Sequence, residues 1–329
     1  MITMIRGVWE MVYKNILDLI GNTPIVQLNS FDIRESNLYI KLENLNPMGS
    51  IKDRIGLSMI ENAEREGKIK PGGTIVEATA GNTGLGLTLA ATLKGYKIIL
   101  VIPDKMSKEK VDHLSAMGAE IVMTRSDVEK GHPEYYQDYA ERIAKEIPGA
   151  FYIDQFSNPY NPLAHELKTG PEIWEQMNGN IDAIVLGVGS AGTIGGLTSY
   201  FKKVKPDIKF ILADPVGSIL KDYFYHKEIG KPGSWLVEGI GEDFIPIHSD
   251  FSLVREAYSI SDKEAFSTAR KLLRDEGIFS GSSTGVLLAA AVKYAQQTKK
   301  PENILTFSCD TGNKYLSKMY NDAWLEENI

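Results

Sequence analysis

Lys52 stands in the stretch PMGSIKDR at residues 47–54, and the apolar residues that follow it recur at helical spacing. This pattern predicts a helix with Ser50 as its N-cap and Gly67 at its end, so Lys52 falls in the first turn. The N-terminal end of a helix carries positive partial charge, which disfavours an ammonium group and lowers its pKa. Lys52 is therefore either an ordinary solvated lysine or a neutral amine that can act as nucleophile and base.

Three turns rich in glycine and hydroxyl groups each lead into a helical pattern: TAGNTG at 79–84, GVGSAGT at 187–193 and GSSTG at 281–285. Backbone N–H groups at such a helix start bind anions, and small residues let an anion come close. A single turn of this kind is equally well explained by the need for glycine in a tight turn. Three of them in one chain favour a ligand with several anionic or polar groups.

The second turn also satisfies the dinucleotide-binding pattern Gly-x-Gly-x-x-Gly at Gly187, Gly189 and Gly192, and Asp214 stands at the end of the next predicted strand. In a dinucleotide site this acidic residue binds the ribose. An NAD-dependent dehydrogenase is therefore one alternative, although it leaves Lys52 and the other two turns without a role.

Composition and charge restrict the class of protein. The 329 residues carry a formal net charge of −7, so we expect no nucleic-acid partner and no anionic-membrane partner. No apolar run is long enough to span a membrane, and the first residues lack the pattern of a signal peptide, which predicts a cytoplasmic location. Cys309 is the single cysteine and the five histidines lack the spacing of helical metal ligands, so we expect no disulfide and no metal site.

Strand-like and helical patterns alternate along the chain, which predicts an α/β fold with mostly parallel sheets flanked by helices. The predicted strands are 74–77, 97–102, 120–123, 183–188, 210–213 and 304–307. The predicted helices, besides the one that contains Lys52, are 84–94, 108–117, 133–146, 162–177, 193–204, 262–276 and 284–297. Ligands bind at the carboxyl ends of the strands in such sheets, which is where we expect the glycine-rich turns.

Six segments, in this order, resemble the pyridoxal-phosphate-dependent cysteine synthase and cystathionine β-synthase family: GNTPIVQL at 21–28, PMGSIKDR at 47–54, TAGNTG at 79–84, DQFSNPYNP at 154–162, GVGSAGT at 187–193 and GSSTG at 281–285. Further stretches, among them EGIGEDFIP at 238–246 and DTGNKYLSKMYNDAWL at 310–325, resemble the cystathionine β-synthase branch of that family. The chain ends soon after Trp324, from which we expect the catalytic core without regulatory modules.

The resemblance implies pyridoxal 5′-phosphate as cofactor and gives the motifs their roles. Lys52 would form the Schiff base with the cofactor aldehyde and shuttle the Cα proton, while Asn82 would bind the ring hydroxyl. The phosphate would be held by Gly187, Gly189, Ser190, Ala191, Gly192 and Thr193. Ser283 would face the pyridine nitrogen, and because its hydroxyl is neutral it would not keep that nitrogen protonated, which favours β-elimination over transamination.

The implied reaction is β-replacement, in which L-serine and L-homocysteine give L-cystathionine and water through an aminoacrylate. The substrate-binding residues implied are Thr79, Ala80, Gly81, Thr83 and Gln155 for the amino acid and Glu238, Gly239 and Gly241 for the second substrate. Two related activities stay open: cysteine synthesis from O-acetylserine or O-phosphoserine with sulfide, and a cysteine β-replacement that releases hydrogen sulfide. A non-catalytic cofactor-binding protein is a further alternative, and it would need an inert Lys52.

Two residues depart from the family pattern. Ala80 stands where the family often has serine, and Phe156 stands where cystathionine synthases commonly have tyrosine. For the architecture, the resemblance implies fold type II of the pyridoxal-phosphate enzymes, which tryptophan synthase β also has. It predicts a large cofactor-binding domain at 1–46 and 155–329, a small mobile domain at 47–154 that carries the carboxylate-binding turn, and a homodimer.

Overall fold

The computed structural model describes residues 12–79, 81–104, 106, 108–128 and 131–329. Within them, strands and helices alternate and the predicted α/β fold is confirmed. The strands are β1 (Ile25–Leu28), β2 (Asn37–Lys41), β3 (Thr74–Ala78), β4 (Lys97–Pro103), β5 (Glu120–Thr124), β6 (Phe151–Tyr152), β7 (Ala183–Leu186), β8 (Lys209–Pro215), β9 (Val254–Ile260) and β10 (Asn303–Phe307). Residues 1–11 of the predicted large domain and Ala80 of the first turn lie outside the described residues.

The α-helices are α1 (Lys52–Arg65), α2 (Asn82–Leu93), α3 (Lys108–Ala116), α4 (Tyr136–Glu146), α5 (Tyr160–Ala164), α6 (Gly170–Gln176), α7 (Gly192–Val204), α8 (Leu220–His226), α9 (Asp262–Glu276), α10 (Ser282–Gln297) and α11 (Asp322–Asn328). A π-helical turn, His165–Thr169, connects α5 to α6. Single 3₁₀ turns occur at Ile16–Leu19, Glu43–Leu45 and Gly312–Tyr315.

The strands form two sheets. In the described residues a six-stranded sheet has the order β1-β2-β10-β7-β8-β9 and a four-stranded sheet has the order β5-β4-β3-β6. Every strand pair is parallel except β1 with β2. Parallel sheets are covered by helices on both faces, which explains why β7 is a continuous apolar run with every residue buried.

Each sheet has its own hydrophobic core. The larger core packs α7 and α10 against the six-stranded sheet, and the smaller one packs α1 and α2 against the four-stranded sheet. The strands of the smaller sheet and helices α1–α4 all fall within 47–154, the range predicted for the small domain. The domain boundaries and the mobility of that domain stay predictions.

The predicted helix at 162–177 is not continuous, because the π-helical turn separates α5 from α6. The predicted helix at 133–146 begins only at Tyr136. The N-cap prediction for α1 is also wrong, since Ile51 precedes the first helical residue; Ser50 still contributes, because its hydroxyl accepts a hydrogen bond of 3.2 Å from Lys52 N–H. Gly67 lies just past the helix with φ of 69°, where glycine carries no steric cost.

A buried ion-pair network fixes the start of α1 to the larger sheet. Arg54 donates to Glu43 Oε2 at 2.7 Å and to Glu172 Oε2 at 2.7 Å, and Lys41 Nζ lies 3.1 Å from Glu172. Lys41 and Glu43 are 0% exposed and Arg54 is 3% exposed. Because these charges pair only in one arrangement of β2, α1 and α6, the network holds the helix turn that contains Lys52 in a defined place.

Candidate active site

A cavity of about 1010 Å³ is lined by residues from the part of the chain that forms the four-stranded sheet and from the part that forms the six-stranded sheet. The predicted site residues on its wall are Lys52, Thr79, Gly81, Asn82, Thr83, Gln155, Gly189, Ser190, Glu238, Gly239 and Gly241. Gly187, Ala191, Gly192, Thr193 and Ser283 are not among its lining residues, and Ala80 is outside the described residues. A second cavity, of about 760 Å³ near residues 15–22 and 167–175, is lined by other residues.

Lys52 opens α1, and its side chain reaches the wall of the larger cavity. Burial lowers the pKa of its ammonium, with nearby Cys309, Glu242 and Asp310 acting in the opposite direction. The direction agrees with the sequence argument, but burial is the largest cause. Among the described residues Lys52 Nζ has no hydrogen bond and no ion pair, so its amine is available to a ligand in the cavity.

Glu242 is a titratable residue on the cavity wall that the sequence analysis did not single out. Burial raises the pKa of its carboxyl to about 8, with Asp243 adding to the rise and Lys52 opposing it. Its carboxyl has no hydrogen-bond partner in the described part of the chain. The signal that could have found it is its position directly after the turn at Gly239 and Gly241.

The first glycine-rich turn joins β3 to α2 and presents polar groups to the cavity. Gly81 N–H donates to Thr79 Oγ1 at 3.2 Å, and Thr83 Oγ1 donates to Gln155 Oε1 at 2.7 Å. Gln155 Nε2 in turn donates to Glu77 Oε1 at 3.3 Å. Burial raises the pKa of Glu77 to about 8, so this carboxyl is neutral near pH 7. The structure thus connects the turn to Gln155, and Gln155 to the neutral carboxyl of Glu77, by hydrogen bonds.

Asn82, the first residue of α2, is held at both ends of its amide. Its Nδ2 donates to Asp310 Oδ2 at 2.8 Å, and its Oδ1 accepts a hydrogen bond from Lys314 Nζ. Lys314 also donates to Met48 O at 3.2 Å, and Tyr315 OH donates to Asp310 Oδ2 at 2.8 Å. Lys314 was not predicted, because nothing in the local pattern around it distinguishes it from a solvated lysine.

The second glycine-rich turn, 187–193, joins β7 to α7. Ala191 adopts the left-handed conformation with φ of 62°, and α7 begins at Gly192. A side chain at Gly192 does not fit, because its Cβ would lie 1.8 Å from Asn161 Oδ1. The turn therefore keeps its backbone bare at a helix N-terminus, which is the arrangement that binds a phosphate.

Ser283 lies in the first turn of α10 and is 4% exposed. Its hydroxyl interacts with the Cys309 thiol, which in turn interacts with Lys52. Burial raises the pKa of Cys309 to about 12, so the thiol is neutral. Ser283 and Lys52 thus both lie near one uncharged side chain.

The turn at 238–241 is held at the cavity wall by hydrogen bonds to neighbouring residues. Gly241 N–H donates to Val188 O at 2.8 Å, and Glu238 N–H donates to Ser282 Oγ at 3.0 Å. Lys318 Nζ donates to Glu238 Oε1 at 2.7 Å, and Lys110 Nζ donates to its Oε2. The cavity wall at this turn therefore carries both signs of charge.

Within the residues that the structure describes, no group of three or more His, Cys, Asp and Glu side chains is arranged to hold a metal ion. In the same residues, no helix has the length and apolar character that crossing a membrane requires.

Residues 16–310 match the family described as pyridoxal-phosphate dependent enzyme. The chain belongs to this family. It is 42% identical over 325 residues to the cystathionine beta-synthase of Apis mellifera, covering 98% of this chain and 64% of that relative, so it spans less than two thirds of the relative's length. It is 41% identical to the O-acetylserine dependent cystathionine beta-synthase of Bacillus subtilis (strain 168), covering 93% of this chain and 97% of that protein.

Among solved structures, the O-acetylserine dependent cystathionine beta-synthase from Helicobacter pylori has a TM-score of 0.85 and 37% identity, covering 94% of this chain and 98% of that chain. Family membership confirms the predicted cofactor and sets the dehydrogenase alternative aside. Asp214, the residue expected to bind a ribose, is 1% exposed and accepts a hydrogen bond of 2.9 Å from Lys221 N–H.

The residues of the cavity fit pyridoxal phosphate by their chemistry. An aldehyde needs a neutral amine, which the lowered pKa of Lys52 favours, and a phosphate needs backbone N–H donors at a helix start, which the turn at 187–193 supplies. The space that a side chain at Gly192 would fill is closed by Asn161, so the bare backbone is a requirement of the packing. The roles of the individual residues toward the cofactor stay predictions.

Proposed function

We propose that this chain catalyses pyridoxal-phosphate-dependent β-replacement, joining L-serine and L-homocysteine to give L-cystathionine and water. The observation that carries the proposal is the cavity of about 1010 Å³, whose wall holds the Lys52 amine, part of the anion-binding turn at 187–193 and the polar turn after β3. No other group of described residues combines these three features.

When bound, pyridoxal phosphate withdraws electrons from the α carbon of the attached amino acid, which makes the α proton acidic and lets the β substituent leave. Lys52 is the residue proposed to carry the cofactor and to take and return the α proton, because burial lowers the pKa of its ammonium and so favours the neutral amine. Ser283 is proposed to meet the pyridine nitrogen with a neutral hydroxyl, and Asn82 to meet the ring hydroxyl. The backbone from Gly187 to Thr193 is proposed to hold the phosphate.

The amino-acid carboxylate is proposed to bind at the turn after β3. The donors there are the Thr79 hydroxyl and the first N–H groups of α2 from Thr83 onward, because Gly81 N–H and the Thr83 hydroxyl already donate to Thr79 and Gln155. Gln155 keeps one Nε2 proton for the ligand after donating the other to Glu77. Closure of the small domain, 47–154, over this carboxylate would exclude water from the reacting β carbon.

The second substrate is proposed to bind beside Glu238, Gly239 and Gly241. An amino-acid thiol carries an ammonium and a carboxylate, and this part of the wall offers Glu238 together with Lys110, with Lys318 paired to Glu238 from beside the wall. Sulfide has neither group, so the charged wall favours homocysteine as acceptor over sulfide. Cysteine synthesis, which takes sulfide as acceptor, is for this reason the weaker candidate, whereas release of hydrogen sulfide from cysteine uses the same acceptor thiol and is decided by the first substrate.

O-Acetylserine is a second candidate for the first substrate. The relatives from Bacillus subtilis and Helicobacter pylori, which this chain matches over 97% and 98% of their lengths, are both named O-acetylserine dependent cystathionine beta-synthases. With this donor the leaving group is acetate, which needs less help from an acid than hydroxide does.

The experiment has two stages. The purified protein is loaded with pyridoxal phosphate and reduced with borohydride, and mass spectrometry of its peptides locates the cofactor. We expect it on Lys52, absent from Lys52→Ala and unchanged in Lys97→Ala, which removes an exposed lysine at the start of β4. A protein that takes up no cofactor, or carries it on another lysine, would refute the proposal.

The second stage identifies products by mass spectrometry. Serine, O-acetylserine, O-phosphoserine and cysteine are each paired with homocysteine or sulfide. Cystathionine from serine is the expected result, cystathionine only from O-acetylserine selects the second candidate, and cysteine as the sole product rejects both. A homodimer in the cytoplasm belongs to the same proposal, and sedimentation of the purified protein tests the dimer.

A further inference from the structure

Asn161 is the second residue of α5 and His165, one helical turn later, opens the π-helical turn; both contact the turn at 187–193. Asn161 Nδ2 donates to Ser190 Oγ at 2.9 Å, and His165 Nε2 lies 3.4 Å from Thr193 Oγ1. Asn161 is 0% exposed and His165 is 1% exposed. Two buried side chains on one helix face therefore meet the two hydroxyl groups of this turn.

This contact depends on an unusually close approach of two helices. A Cβ at Gly196, one turn into α7, would lie 2.1 Å from Pro162 O and 2.7 Å from His165 Cβ. Glycine at this position lets α7 rest directly on α5 and the π-helical turn. A π-helical turn costs regular hydrogen bonding and is found most often at functional sites. Here it brings the His165 ring to the first turn of α7.

The amide of Asn161 has a defined orientation. Its Nδ2 donates both to Ser190 Oγ and to Gln155 O, the latter at 2.8 Å, and the Gln155 carbonyl can only accept. Because Ser190 Oγ accepts this hydrogen bond, the proton of the Ser190 hydroxyl is left to point elsewhere. Ser190 lines the cavity, so that proton can be donated to a ligand there.

The same argument applies to Thr193. Burial lowers the pKa of His165 to about 3, with Arg54 and Lys52 adding to the decrease and Glu43 opposing it. The ring is therefore neutral and carries one proton. Its Nδ1 lies 3.0 Å from Thr169 Oγ1. If Thr169 donates to Nδ1, the ring proton is on Nε2 and Thr193 Oγ1 is the acceptor, which leaves the Thr193 proton for a ligand.

A phosphate dianion only accepts hydrogen bonds, so a phosphate site needs hydroxyls that donate. We propose that Asn161 and His165 are positioning residues that set Ser190 and Thr193 as hydrogen-bond donors to a phosphate bound at the turn 187–193. The proposal rests on the proposed function only in placing the cofactor phosphate at this turn. The competing explanation is that both side chains merely fill the interface between α5 and α7.

The test compares two ligands of the apoprotein, pyridoxal phosphate and pyridoxal, which differ only in the phosphate. His165→Phe keeps a planar ring and removes both nitrogens, and Thr193→Val removes the hydroxyl. We expect each to weaken pyridoxal phosphate binding about tenfold to a hundredfold, as for one hydrogen bond to a charged group, and to leave pyridoxal binding unchanged. Ser190→Ala and Asn161→Leu, which removes the amide at similar volume without adding a charge, form the second pair, with the same expectation.

The double variant separates positioning from packing. If His165 acts through Thr193, His165→Phe adds nothing to the loss already caused by Thr193→Val. His226→Phe, which changes an exposed histidine on α8, is the matched control and should alter neither affinity. Equal weakening of both ligands, or additive losses in the double variant, would overturn the proposal.

A measurement on the unmodified holoprotein covers the case in which a variant fails to fold. The ¹⁵N shifts of the ring nitrogens of the five histidines report which nitrogen carries the proton. We expect His165 to be protonated at Nε2, and protonation at Nδ1 would reject its role. If the unmodified protein binds pyridoxal and pyridoxal phosphate equally well, the phosphate site itself is wrong, and the proposed function fails rather than this inference alone.

Discussion

The Thr83 hydroxyl donates a hydrogen bond of 2.7 Å to Gln155 Oε1 across a sequence separation of 72 residues. This contact decides which end of the Gln155 amide is left to act as donor. Gln155 Oε1 accepts the Thr83 hydrogen bond, and one Nε2 proton is donated to Glu77. The second Nε2 proton is therefore the donor that Gln155 can offer to a carboxylate in the cavity.

We expect Thr83→Val to raise the KM for the amino-acid substrate about tenfold or more, since it removes a hydrogen bond that orders a donor to a charged group. Thr88→Val is the matched control, because Thr88 lies on the same helix and its buried hydroxyl has no hydrogen-bond partner in the structure. Steady-state kinetics on both variants check this. An unchanged KM in Thr83→Val would show that Gln155 does not need this partner.

Glu77 gives a pH dependence of stability whose sign follows from its raised pKa of about 8, caused first by burial and then by Asp154. The ordinary value is 4.5. Between these two pH values the folded chain holds a proton that the unfolded chain has lost, so stability falls as pH rises through this window. Each pKa unit corresponds to about 1.4 kcal/mol of the free energy of unfolding.

Glu77→Gln imitates the neutral carboxyl and should remove this part of the pH dependence. Urea unfolding of the wild type and of Glu77→Gln at pH 6 and pH 9 measures it as a difference. We expect the stability of the variant relative to wild type to be greater at pH 9 than at pH 6, because wild type goes on losing stability between these values until the folded pKa of about 8 is passed. Parallel losses in both proteins would mean that groups other than Glu77 cause the dependence.

The elements and the glycine-rich turns could be predicted from the sequence because they are local. A buried parallel strand such as β7 is a continuous apolar run, and α9 at Asp262–Glu276 has a clear amphipathic pattern, so its predicted bounds agree with the structure. Strand β9 was missed because Arg255, Glu256 and Ser259 interrupt the apolar pattern on an edge strand. The π-helical turn was missed because its residues continue a helical pattern.

The long-range polar contacts could not be predicted. From the sequence, Lys41 and Glu43 would be expected on the surface, because no residue close to them in the chain indicates that they pair with α1 and α6. The same holds for Glu77, which stands in a strand whose burial only the folded sheet reveals, and for Lys314. Glu242 was nearest to being found, because it follows a turn that the sequence analysis did select.

Glu242 should influence the amine of Lys52. Its charge raises the pKa of Lys52 against the larger effect of burial, so Glu242→Gln should lower that pKa further. More neutral amine is then present near and above pH 8, where Glu242 carries its charge, and in that range the limb of the rate of pyridoxal capture by the apoprotein should move to lower pH, by about one unit or less.

Borohydride trapping at a series of pH values measures this limb. Asp243→Asn is the matched control, because it removes an equal charge one residue away on an exposed side chain that solvent screens from Lys52. The limb should stay in place in Asp243→Asn. If the limb moves equally in both variants, the cause is the total negative charge of residues 242–243 and not Glu242 itself. If it moves in neither, Glu242 and Lys52 titrate independently.

Arg54 should contribute strongly to stability. Its guanidinium is 3% exposed and bridges Glu43 and Glu172, so Arg54→Met leaves Glu43 buried and less compensated. We expect the free energy of unfolding to fall by about 3–5 kcal/mol, the usual cost of removing one partner from a buried ion pair. Lys145→Met breaks the exposed pair between Lys145 and Glu141, 2.7 Å apart on α4, and should cost about 0.5 kcal/mol or less. Urea unfolding of the two variants compares these values directly, and similar costs would mean that the network does not anchor α1.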